Sequence, residues 1–124
     1  GLCLVGSEMC IRDRENTGLA GASFDLISLQ FVCHELPQEA THAVLMEAAR
    51  LLRPGGALVM VDQDPASSVL QRLPAVVATL LKSTEPYIEQ YFSLDMAEAL
   101  RAAGFRNLQI RACDPRHRVI ACLR

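Results

Sequence analysis

Three short stretches of the sequence hold side chains suited to chemistry. His34 and Glu35 follow directly on the apolar run "SFDLISLQFVC". An imidazole with an ordinary pKa of about 6.5 can take a proton from a hydroxyl or amine near neutral pH. A histidine at that place can equally pack at a helix entrance and bond the backbone. Asp62 and Asp64 close the run "ALVMVDQD". Two carboxylates there suit the lining of a pocket or the orientation of an amine; alternatively Asp62 forms a turn and Asp64 an Asx turn before Pro65. Tyr87, Tyr91 and Phe92, in "KSTEPYIEQYF", offer a surface to an apolar or aromatic ligand, or anchor a loop to the core. His34 and His42 do not form H-E-x-x-H, and the sequence presents no third ligand beside them, so no metal site is expected.

The elements that must position these groups follow from apolar patterning. "SFDLISLQFV" is too short for a helix and apolar at consecutive positions, which predicts a strand buried on both faces. In "LPQEATHAVLMEAARLLRPGG", Ala43, Val44, Leu45, Ala48, Leu51 and Leu52 fall at helical spacing, and Pro54-Gly55-Gly56 ends the run. "ALVMVD" predicts a second buried strand. Strand, helix and strand in that order make one βαβ unit with a parallel pair. Farther on, "SSVLQRLPAVVATLLKS" predicts a helix interrupted or kinked at Pro74, and "TEPYIEQYF" an irregular loop. "SLDMAEALRAAGF" predicts a helix capped by Ser93 and stopped by Gly104. "RNLQIRA" and "RVIACL", joined by "CDPRH", predict an antiparallel pair at the sheet edge. Leu29 and Phe31 are then expected in the core, with Gln30 capping the strand.

The 124 residues suffice for one small domain, half of them are hydrophobic, and the formal net charge is −2. Nothing in that balance favours nucleic acid. The arginines of the C-terminal hairpin (Arg106, Arg111, Arg116, Arg118) read as a solvated or edge-protecting face. No apolar run approaches the roughly 20 residues that span a bilayer. The five cysteines form no C-x-x-C pair, which fits a reducing intracellular compartment better than a disulfide framework.

Three pieces, "SFDLISLQFVCHEL", "LLRPGGALVMVD" and "ALRAAGFRNLQI", stand in an order and spacing that resembles the C-terminal half of class I S-adenosylmethionine-dependent methyltransferases, most closely the type 11, small-molecule branch. The resemblance covers residues 15–124. It implies an α/β fold: the C-terminal part of a Rossmann-like doubly wound sheet, strands four to seven with flanking helices, without the N-terminal strands. It also implies S-adenosyl-L-methionine as cofactor and a small-molecule methyl acceptor, quinone-like or lipid-like. By the same resemblance Glu15 would accept from the adenine amino group and Asn16 would offer its backbone N–H. Leu29 and Gln30 would lie under the cofactor, His34 would be the candidate base, and Asp62, Asp64, Tyr87 and Tyr91 would face the acceptor. The family more often has Asp-Ala where this chain has Glu15-Asn16, and Pro where it has Ala20.

The stretch "LVGSEMCIRD", residues 4–13, resembles the translation of a transposon-type sequencing-library adapter. Residues 1–14 are therefore expected to be adapter-derived and residues 15–124 a partial methyltransferase domain. The family's Gly-rich cofactor turn and its ribose-binding acid have no counterpart in the sequence. The parent is then expected to be an enzyme and the chain by itself inactive. A non-catalytic module that binds a partner through an open sheet edge is the alternative.

Overall fold

A computed structural model describes residues 15–124. Four strands form one sheet in the order β1-β2-β4-β3, where β1 is Phe24–Gln30, β2 is Leu52–Gln63, β3 is Arg106–Ala112 and β4 is His117–Leu123. β1 and β2 are parallel, with Ile27 opposite Leu58 and Leu29 opposite Met60. β4 runs antiparallel to both β2 and β3. The expected βαβ unit and C-terminal hairpin are both present, and the architecture is α/β, as expected of strands four to seven.

The crossover helix α1, Gln38–Leu51, starts after Pro37, whose fixed φ suits the turn into a helix. Its buried side chains Val44, Leu45, Ala48 and Leu51 join a core with Ile27 and Leu29 of β1, Leu58 and Met60 of β2, and Ile120 and Cys122 of β4. β2 is irregular over Arg53-Pro54-Gly55-Gly56, where the β1–β2 register shifts between Phe24↔Leu52 and Leu26↔Ala57. Gly56 has no room for a side chain there: a Cβ would stand 2.9 Å from the Arg53 carbonyl oxygen.

β1 departs from the expectation of two buried faces. Ile27 and Leu29 are buried, but Leu26 is 43% exposed, because β1 is an edge strand and its other face carries no helix among the described residues. Phe31, expected in the core, is 46% exposed for a related reason: the strand ends at Gln30 and Phe31 takes a positive φ of 56°, which turns its ring outward. There the ring meets His117 edge-on, with centroids 5.1 Å apart.

The segment after β2 is broken at Pro74 into α2, Ser68–Gln71, and α3, Ala75–Thr84. The expected loop after it holds a short helix instead, α4, Ile88–Ser93, because Ile88 and Tyr91, one turn apart, are both drawn into the core. The next helix, α5, is Met96–Ala102, and its cap is Asp95 rather than Ser93. The Asp95 carboxylate accepts from the Glu98 N–H at 3.1 Å, while the Ser93 hydroxyl donates to the Gln90 carbonyl. Gly104, at φ +99°, ends α5 as the sequence predicts.

Candidate functional site

In an open α/β sheet, ligands gather outside the carboxyl ends of parallel strands. Here those ends belong to β1 and β2, and one carboxylate joins them. Asp62 is 4% exposed. Its Oδ2 accepts from the backbone N–H of Cys33 at 2.9 Å and of His34 at 3.2 Å. Its Oδ1 accepts from Gln63 N–H at 2.8 Å and lies 2.7 Å from His34 Nδ1. The two backbone donors belong to the 3₁₀ turn Cys33–Glu35, whose first N–H groups lack internal partners and so suit a buried anion.

An ionised carboxylate only accepts, so Nδ1 carries the proton and Nε2 presents its lone pair. Nε2 faces Glu85 Oε1 at 3.8 Å. The Asp62 hydrogen bond holds the imidazole's pKa above its ordinary value, against burial, which acts to lower it. Glu85 comes from the C-terminal end of α3, with its N–H bonded to the Leu81 carbonyl. One ring nitrogen of His34 and one oxygen each of Glu35 and Glu85 lie within 4.8 Å of one another.

Gln63, the residue after Asp62, lines a cavity of about 240 Å³ together with Leu70, Leu73, Val77, Leu81, Arg116 and His117. A second cavity of about 420 Å³ shares Leu70, Leu73 and Leu81 and continues to Ile88 and Phe92. The apolar space therefore runs from the end of β2 beneath α3. Gln63 Oε1 is buried and has no hydrogen-bond partner among the described residues.

Of the residues singled out in the sequence, His34 and Asp62 are brought into direct contact. Asp62 holds the protein's own donors rather than an open pocket wall. Asp64 makes the Asx turn: its Oδ1 accepts from Ala66 N–H at 2.9 Å. Tyr91 is 2% exposed and donates its hydroxyl to the Gln63 carbonyl at 2.6 Å, so it anchors α4 to the end of β2; burial pushes its pKa up. Tyr87 is 39% exposed at the start of α4. Leu29 is core, and exposed Gln30 donates its amide to Ser28 Oγ at 3.3 Å.

Glu15 and Asn16 are exposed, and among the described residues no hydrogen bond links them to Gln30 or His34. The chain next to them is tied to α1: Thr17 donates its N–H and hydroxyl to Glu47, and Arg50 donates to the Leu19 carbonyl. Sequence reasoning missed Glu85, Gln63 and the Phe31–His117 contact. Glu85 precedes a proline in what reads as a loop, and no local pattern ties it to His34. The stretch of residues 4–13 lies outside the described residues.

Residues 4–60 match the family described as "Methyltransferase domain", a span that begins within the adapter-like stretch. Among curated proteins, none matches the sequence. Solved structures do match in fold. A SAM-dependent methyltransferase from Archaeoglobus fulgidus aligns at TM-score 0.68 and 13% identity, over 97% of this chain and 66% of its own. Phosphoethanolamine N-methyltransferase 2 of Haemonchus contortus, solved with S-adenosyl-L-methionine, aligns at 0.64 and 12%, over 84% and 34%. Human N-acetylserotonin methyltransferase, solved with SAM, aligns at 0.57 and 20%, over 82% and 30%. The chain thus spans about a third to two thirds of the length of these structures. Residues 4–60 thus resemble the methyltransferase-domain family, and the fold of the chain is that of these methyltransferase structures.

Proposed function

We propose that the protein to which this chain belongs transfers a methyl group from S-adenosyl-L-methionine to a small apolar acceptor, quinone-like or lipid-like. The observation that carries this reading is the His34–Asp62 pair at the carboxyl ends of two adjacent parallel strands, with Gln63, which follows Asp62, lining a largely apolar cavity. The family match and the cofactor-bound neighbours in fold support the cofactor. That cofactor supplies an electrophilic methyl group on a positively charged sulfur. The residues here contribute on the acceptor side. Leu70, Leu73 and Leu81 exclude water around the acceptor, and the orphaned Gln63 Oε1 receives a hydrogen bond from it. His34 Nε2, held outward by Asp62, takes the proton that an O–H or N–H acceptor releases as its methyl bond forms.

The same reading makes the 124-residue chain inactive by itself. Glu15, Asn16 and Gln30 are exposed rather than gathered into a cradle, and no Gly-rich turn or ribose acid stands in the sequence. Residues 1–14 are read as adapter-derived. The test is the gene itself, sequenced upstream of the Glu15 codon, with the extended product assayed for transfer of labelled methyl to apolar acceptors. A strand followed by a Gly-x-Gly turn, with labelled product, is the expected result. Genomic codons for residues 4–13, or an extended product that leaves the methyl donor unconsumed, would overturn it.

One observation favours a second reading. β1 has a neighbour on one side only among the described residues, so its outer N–H and C=O groups offer a template for strand addition by a partner. Under that reading the short form is genuine and non-catalytic, and genomic codons for residues 4–13 are its expected result.

A further inference from the structure

We propose that His34, Glu35 and Glu85 bind one divalent transition-metal ion, of the kind that imidazole and carboxylate share, with Zn²⁺ as the type. The inference rests on the geometry of these side chains and not on methyl transfer.

Three observations support it. First, the ring nitrogen and two carboxylate oxygens already lie within 4.8 Å of one another, so small side-chain movements bring all three to a common ion at about 2.0–2.2 Å. Second, His34 is prepared as a ligand by Asp62. A metal-binding imidazole usually donates its other N–H to a carboxylate, which fixes the tautomer and makes the ligand nitrogen more basic. Asp62 does this at 2.7 Å and is itself fixed by the Cys33, His34 and Gln63 N–H groups. The imidazole is 7% exposed and cannot swing away without breaking that arrangement.

Third, the charge at this point lacks a permanent cation. Among the described residues, no Lys or Arg forms an ion pair with Glu35 or Glu85; the nearby Lys82 pairs with Glu89 at 2.6 Å instead. Two carboxylates and one imidazole converging with no Lys or Arg paired to them among the described residues favour a dication, which displaces any proton from Nε2. Three protein ligands leave at least one position for water or a ligand oxygen. A cation on Nε2 occupies the lone pair that would take an acceptor's proton, so metal binding and proton abstraction by His34 exclude each other.

The test is a titration of the full 124-residue chain with Co²⁺, read by its visible ligand-field bands, followed by displacement with Zn²⁺. One equivalent per chain is expected, with affinity falling about tenfold or more in Glu85→Gln and in Glu35→Gln. Glu35 is exposed, so its variant tests the site even if Glu85→Gln disturbs α3. Glu89→Gln, outside the cluster, should leave binding unchanged. The proposal is overturned if no saturable band forms, if either cluster variant folds yet binds like wild type, or if strong near-ultraviolet thiolate bands place the ion on cysteine.

Discussion

Asp62 accepts from three backbone N–H groups and one imidazole, and in doing so determines which nitrogen of His34 faces the end of the sheet. An amide at this place would present N–H groups to donors. We expect Asp62→Asn to destabilise the fold by about 2–3 kcal/mol, measured by urea denaturation, and to lower the His34 pKa, measured by NMR. A denaturation midpoint unchanged from wild type would mean that the carboxylate is not the joint between β1 and β2. Glu47 makes the second buried polar arrangement. Its oxygens accept from Arg50 and from the Thr17 N–H and hydroxyl, with Arg50 the leading cause of a pKa held down at about 2. A depressed carboxylate pKa stabilises the folded chain fully above the unfolded value of about 4.5 and is lost as pH falls from there toward 2. Glu47→Gln should therefore cost about 1–2 kcal/mol at pH 7, with the difference from wild type shrinking below pH 4; a difference constant from pH 7 to pH 3 would contradict this.

At the scale of elements, the sequence was most informative where one chemical rule decides locally. Pro74 divides α2 from α3, and Gly104 at positive φ ends α5. Short runs of consecutive apolar residues located β1 and β2, helical apolar spacing located α1, and two short apolar segments around a turn located the terminal hairpin. The sequence could not locate α4, whose two anchoring residues, Ile88 and Tyr91, are too few to set a period and are held by packing against distant parts of the chain. It also mistook the cap of α5, since Ser93 and Asp95 both suit an N-cap and only the backbone path decides between them. The candidate site divides in the same way. His34 and Asp62 were legible because strand ends are legible. Their contact, and the approach of Glu85, depend on how the crossover and α3 fold back. Asp95→Ala should destabilise by about 1 kcal/mol through the lost α5 cap, read as a fall in thermal midpoint. Gly104→Ala should cost a similar amount or more, because a Cβ disfavours its φ. Equal midpoints for wild type and both variants would show that α5 is held by packing alone.

Over the whole molecule, the helices cover one face of the sheet, and the core gathers there around Ile27, Leu58, Met60 and Ile120. Val59, Val61, Val119 and Ala121, on the other face, are only half-buried, and Leu26 extends that apolar surface to the open edge of β1. A chain with this surface should self-associate, and Leu26→Lys should shift it toward the monomer; light scattering that finds wild type monomeric at high concentration would contradict the expectation. Under the proposed function, the described residues serve the acceptor side and cofactor binding depends on residues outside this sequence. The most direct test is calorimetric titration of S-adenosylhomocysteine into the 124-residue chain and, in parallel, into the gene product extended upstream of Glu15. The account predicts saturable binding by the extended protein and none by the chain. Micromolar binding by the chain, or no binding by the extended protein, would contradict it.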